Sequence, residues 1–237
     1  MLTVYVAVGF FSLPVGAAPR AVPVDAVFEF SPLPEGEKIL HEFIVRNTGD
    51  TVLNITKVLP PWGCDSRSYD KQIPPGGEGK IQIGIKTNGY GGKRLTKKIL
   101  VKTDDPENKK FHLTVTGTVD AVVEITPRTV SLSGAPGEVL EAMVTITPKD
   151  KYKFSILGLE QKFNTQIKAT LVPPHMVTPD MAKPGKENSA WQVKITSTSQ
   201  KAEDLYDIIT LTTDSQYKPK LKIRVYAIYL EDKKNKS

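Results

Sequence analysis

The side chains that could do chemistry gather in a few short segments of this chain. Pro60-Pro61-Trp62-Gly63-Cys64-Asp65 holds the single cysteine of the sequence. One cysteine excludes an internal disulfide, a cysteine-pair metal site and a haem attachment motif. Cys64 is then either buried and inert, or open to a partner or to redox and metal chemistry; as a nucleophile it would need a depressed pKa. Trp62 either caps the end of the fold or projects as an interface anchor, since tryptophan is enriched at binding hot spots. His41, His112 and His175 show no spacing typical of metal ligands. No nucleophile-elbow or paired-carboxylate pattern occurs. Asn88-Gly89-Tyr90-Gly91-Gly92-Lys93 has the glycines of a phosphate-cradling loop, but such a loop must open a helix. A strand pattern follows instead, so the segment reads as a hairpin loop with Tyr90 at its tip as a contact residue. These residues point to no enzyme, no metal and no cofactor.

What must position them is a chain that contains itself twice. At an offset of 110 residues, Ile81, Ile83, Ile85, Ile99, Val101, Leu113 and Val115 meet Trp191, Val193, Ile195, Ile209, Leu211, Ile223 and Val225. Earlier the offset is 101: Ile39, Phe43, Val45, Ile55 and Val58 meet Leu140, Val144, Ile146, Ile156 and Leu159. The recurring pattern is an apolar residue at every second position, with turn signals between runs, which is the signature of half-buried strands. No segment sustains a helical period. The expectation is an all-β chain of two tandem immunoglobulin-like antiparallel β-sandwiches. Residues 19–119 form the first and 120–230 the second, with a charged tail at 231–237. Trp191, aligned with Ile81, should be core. The offset grows between Val58 and Pro74, so the second repeat carries an insertion within 163–183. That insertion includes Pro173-Pro174-His175-Met176, and loops that diverge on a shared scaffold are where binding concentrates.

Residues 1–18 read as a signal peptide: Leu2 to Phe11 is apolar, Pro14 breaks it, and Gly16-Ala17-Ala18 supplies small residues for cleavage. No cysteine follows to carry a lipid anchor there. This predicts a periplasmic or extracellular protein. The net charge of +6 is spread evenly: residues 19–119 carry 15 basic and 12 acidic residues, and 120–237 carry 17 and 14. A nucleic-acid binder gathers its excess on one face, so no nucleic acid is expected. The densest cluster, Lys93, Arg94, Lys97 and Lys98, reads as the solvated side of a hairpin; weak association with an anionic membrane surface is the alternative.

The first repeat resembles a bacterial family of exported Ig-like domains of unknown function. The resemblance covers about residues 27–119 and rests on three elements in order: the turn Asn47-Thr48-Gly49-Asp50, the loop Trp62-Gly63-Cys64-Asp65, and Ile73-Pro74-Pro75-Gly76-Gly77. It implies a sandwich related to the pilus-chaperone and sperm-protein group, and no established activity. Trp62 stands where the family's Cys-Gly-Cys loop has its first cysteine, so two-thiol chemistry is unavailable here.

Together these readings predict a non-enzymatic exported binding or scaffolding protein, an accessory subunit or adaptor for a cell-envelope protein. Its partner-binding loops would be Trp62, Cys64, Asp65 and Tyr90 in the first repeat, and His175 and Met176 in the second. The alternatives are a chaperone-like mode in which an edge strand pairs with a partner's strand, and a redox or metal role for Cys64. Carbohydrate binding would want aromatics along one face, and Tyr69, Tyr90, Tyr152, Tyr206 and Tyr217 are scattered in sequence.

Overall fold

The computed structural model describes residues 17–163, 165–174 and 190–231. In the first repeat the alternating runs form β1 (Ala21–Pro23), β2 (Val27–Pro34), β3 (Lys38–Asn47), β4 (Leu53–Leu59), β5 (Cys64–Tyr69), β6 (Gln72–Ile73), β7 (Glu78–Lys86), β8 (Lys93–Thr103) and β9 (Lys110–Asp120). They build two sheets, in the orders β1-β3-β7-β5 and β2-β9-β8-β4-β6. The second repeat forms β10 (Val123–Thr126), β11 (Thr129–Gly134), β12 (Val139–Pro148), β13 (Ile156–Gln161), β14 (Ile167–Val172), β15 (Trp191–Thr198), β16 (Asp204–Thr213) and β17 (Lys220–Tyr229). Its sheets run β10-β12-β15-β14 and β11-β17-β16-β13. A 3-10 turn stands at Asp150–Tyr152. The all-β, immunoglobulin-like class expected from the alternation is what is seen.

Two compact units result. Of the described residues, one takes 17–30, Lys38–Lys86 and Thr96–Gly117; the other takes Ser31–Glu37, Thr87–Leu95 and those from Thr118 onward. The first unit buries Phe43, Val45, Leu53, Ile81, Ile99 and Leu113 almost completely. The second does the same with Val144, Ile146, Val193, Ile195, Ile209 and Ile223. Each such side chain contributes about 1.5–3 kcal/mol relative to exposure, which is why the repeat is visible as a spacing of aliphatics.

The repeat extends to turn chemistry. Asp104 Oδ1 accepts the Asn54 N–H at 2.8 Å, and Asp214 Oδ1 accepts the Ser155 N–H at 2.7 Å. Thr103 Oγ1 donates to the Asn108 carbonyl at 2.9 Å, as Thr213 Oγ1 does to that of Lys218 at 2.6 Å. One element has no counterpart. Asn47, fully buried, receives the N–H groups of Arg20 and Gly49 at Oδ1 and donates from Nδ2 to the carbonyls of Thr51 and Ile73. A buried amide is stable only when so satisfied; the second repeat places Pro148 there and does without it.

Three expectations are corrected. The segment 87–92 is not a hairpin loop, because β7 and β8 lie in different sheets. It crosses between them in two turns, closed by Tyr90 N–H to Thr87 O and Lys93 N–H to Tyr90 O, with Gly89 and Gly92 at positive φ. The pairing is not wholly antiparallel: β11 runs parallel to β17, the chain having changed sheets after β10. Trp191 packs against the second core but stays half-buried, since it is the first residue of its strand.

Candidate functional site

Pro60 and Pro61 end β4, since proline supplies no N–H to a ladder. The chain then turns: the Cys64 N–H donates to the Pro61 carbonyl at 3.0 Å, with Gly63 at φ 82° in the third place of the turn. That conformation favours glycine. The Gly63 carbonyl takes the Lys86 N–H at 3.0 Å, tying the turn to the end of β7. The Trp62 carbonyl takes a hydrogen bond from Lys97 Nζ at 2.9 Å. Held at its backbone in this way, Trp62 is nonetheless 89% exposed. It does not cap the sandwich.

Lys97 is the residue the sequence reading misplaced. Its side of β8 is shared with Leu95 and Ile99, so it points inward and is only 9% exposed, unlike the exposed Lys93, Arg94 and Lys98. Position parity, the signal that overrides its charge, was present in the sequence.

Cys64 opens β5 opposite Ile85 and is half-buried. Burial pushes its thiol pKa up, the Lys97 ammonium pulls it partly back, and Asp65 adds to the rise. The neutral thiol therefore dominates at neutral pH, the reverse of what an activated cysteine needs. Asp65 is exposed and lies across Gly84, where a Cβ would come within 2.3 Å of its Oδ1. From here β5 forms the edge of its sheet, irregular between Ser66 and Ser68. Beside it a shallow cleft of about 380 Å³ is lined by Leu40, His41, Glu42, Arg67, Gln82 and Ile83. His41 stacks on Phe28 at 3.6 Å and meets Phe43 edge-on at 4.5 Å; burial lowers its pKa against the opposing pull of Asp25 and Glu42.

Trp62, Cys64 and Asp65 are thus brought together as expected from their adjacency. Tyr90 clusters with the other unit and is half-buried. His175 and Met176 lie outside the described residues. Among the described residues no group of three or more His, Cys, Asp and Glu side chains is placed to hold a metal ion.

The second repeat builds the equivalent loop with the opposite charge. Asp207, fully buried, accepts the backbone N–H groups of Lys162 at 3.1 Å, Phe163 at 3.0 Å and Ile208 at 2.7 Å, and Gln161 Nε2 at 3.2 Å. Phe163, at the place of Trp62 in the repeat, is 48% exposed. Both loops present an aromatic ring on a backbone anchored by a buried charge.

Residues 24–119 match the model of a family described as protein of unknown function (DUF1573). No curated protein matches the chain. Similar solved structures include a protein of unknown function from Porphyromonas gingivalis W83, at 12% identity and TM-score 0.34, covering 88% of this chain and 99% of that one. The ASH/PapD-like domain 7 of human CEP192 matches at 12% identity and TM-score 0.33, over 51% of this chain and 98% of that one. The two-domain IG1+IG2 segment of DIP-gamma matches at 10% identity and TM-score 0.31, over 90% of this chain and 99% of that one.

Proposed function

We propose that this chain is a non-enzymatic binding protein, exported to the periplasm or beyond, that serves a cell-envelope protein as adaptor or accessory subunit. The observation that carries the reading is Trp62. A tryptophan 89% exposed on a turn fixed by Gly63 and Lys97 keeps a large apolar surface in water, which favours any partner that covers it. Cys64 and Asp65 flank it as secondary contacts. The test is capture of partners from envelope extract by the purified chain and by Trp62→Ala. A partner retained by the first and lost by the second supports the loop; an unchanged set of partners removes it.

A second reading is favoured by one observation: β5 follows this loop directly and is an edge strand of six residues without proline. A partner's strand could add there, its side chains meeting the cleft at Leu40 and Arg67. Tyr69→Pro, at an N–H that alternation turns away from β7 because the Asp70 N–H bonds back to the Lys80 carbonyl, would abolish that mode and leave Trp62 in place. The raised thiol pKa of Cys64 gives the redox reading no support.

A further inference from the structure

The outer face of β16 and β17 carries aromatic rings that the sandwich does not require. Tyr206 lies opposite Tyr226 in register, their ring centroids 4.8 Å apart. Phe163, just past β13, places its ring 5.8 Å from that of Tyr206. Phe163 is 48% and Tyr226 40% exposed. The first repeat is an internal control. Its equivalents of Tyr206 and Tyr226 are Thr96 and Thr116, joined by a hydrogen bond of 2.9 Å. The same framework stands on a threonine pair, so core packing does not account for three rings in a row.

Cations adjoin the row. Lys220, Lys222 and Arg224 point outward along β17 toward Tyr226, at successive spacings of about 7 Å for alternate strand residues. Lys162 Nζ sits 4.7 Å from the centre of the Phe163 ring. Among the described residues, Lys220, Lys222 and Arg224 have no carboxylate within ion-pair distance. The matching places on β9 are Lys110, His112 and Thr114, so most of this charge is also particular to the second repeat.

We propose that this face binds an anionic polysaccharide. The apolar C–H faces of its sugar rings would lie along Phe163, Tyr206 and Tyr226, and its carboxylates would meet the cations of β17. A single-stranded nucleic acid fits less well, because successive bases stack on flat ring platforms. Here neighbouring rings are tilted by 43° and 34°. The sites are far apart in sequence, which is why a search for aromatic runs passes over them.

The test is calorimetric titration of the full chain with oligogalacturonate as the uronic-acid probe. A neutral glucan of equal length, oligo-dT and anionic phospholipid vesicles form the other arms. The expected result is saturable, salt-sensitive binding of the uronate. Tyr206→Thr with Tyr226→Thr, the pair used by the first repeat, should weaken it about tenfold or more, the scale of removing aromatic anchors from a binding surface. Arg224→Ser should weaken it about threefold, the scale of an exposed ion pair, and Trp62→Ala should leave it unchanged. Should the double tyrosine variant not fold, Lys222→Ser with Arg224→Ser decides the matter through its effect on uronate binding. No binding of the uronate, equal binding of the neutral glucan, preference for oligo-dT or vesicles, or unchanged affinity in folded variants would each overturn the proposal.

Discussion

Lys97 and Asp207 occupy the same place in the two repeats and hold the same loop by opposite means. Lys97 donates a hydrogen bond to the Trp62 carbonyl; Asp207 accepts hydrogen bonds from the N–H groups of Lys162 and Phe163. Duplication has kept the need for a buried charge under the loop while inverting its sign. The two should differ in what they contribute. Removing Lys97 forfeits its bond to the Trp62 carbonyl but also relieves the cost of burying an ammonium, so Lys97→Met should cost less stability than Asp207→Ala. Asp207→Ala strands several N–H donors and should cost about 2–4 kcal/mol. Urea unfolding of the two variants checks the order, and a larger loss in Lys97→Met would contradict it.

Asn47 explains why the turn Asn-Thr-Gly-Asp reads as a signature. Its amide joins the Arg20 segment, the turn itself and the end of β6 through four hydrogen bonds. Asn47→Ala should lower stability by about 2–4 kcal/mol, because buried donors and acceptors lose their partners. Asn47→Asp should be no better, since a carboxylate cannot donate to the carbonyls of Thr51 and Ile73. Thermal unfolding of both checks this; a shift in neither would show that water replaces the amide.

The framework was legible because aliphatic spacing records which face of a strand is buried, and Ile81, Ile83 and Ile85 leave no other reading. The candidate site was legible only in part. Trp62, Cys64 and Asp65 are neighbours in the chain, so their proximity needed no fold. Lys97 was missed because its charge was weighed above its parity with Leu95 and Ile99. Tyr226 was missed because it meets Tyr206 only through strand register, which linear spacing does not display. The segment 87–92 was misread because glycine-rich turns show that a chain bends, not which sheet the next strand joins.

His41 gives stability a pH dependence of definite sign. Burial between Phe28 and Phe43 lowers its pKa below the ordinary 6.5. The unfolded chain therefore takes up a proton before the folded one does. Its contribution is fully present above about pH 6.5 and falls as pH drops through that value toward the folded pKa. His41→Phe keeps the stacked shape and removes the titration. Unfolding temperatures at pH 7.5 and 5.0 should fall less in His41→Phe than in the parent; an equal fall in both would exclude His41 as a source.

Glu35 and Lys218, both in the second unit, make a pair from which water is largely excluded. Glu35 also accepts the Gly89 N–H at 2.6 Å. The turn that carries it is closely packed: Gly36 is at φ 105°, and a Cβ there would come within 2.2 Å of the Tyr217 carbonyl oxygen. A carboxylate so enclosed cannot regain water when its partner is removed. Lys218→Met should therefore cost about 3–5 kcal/mol, the usual penalty for leaving one member of a buried ion pair uncompensated. Replacing both, Glu35→Gln with Lys218→Met, should cost less than Lys218→Met alone, because the amide still receives the Gly89 N–H and carries no charge. A double-mutant cycle by chemical denaturation measures the coupling. If Lys218→Met falls within about 1 kcal/mol of the parent, the pair is solvated in solution and acts as an ordinary surface bridge.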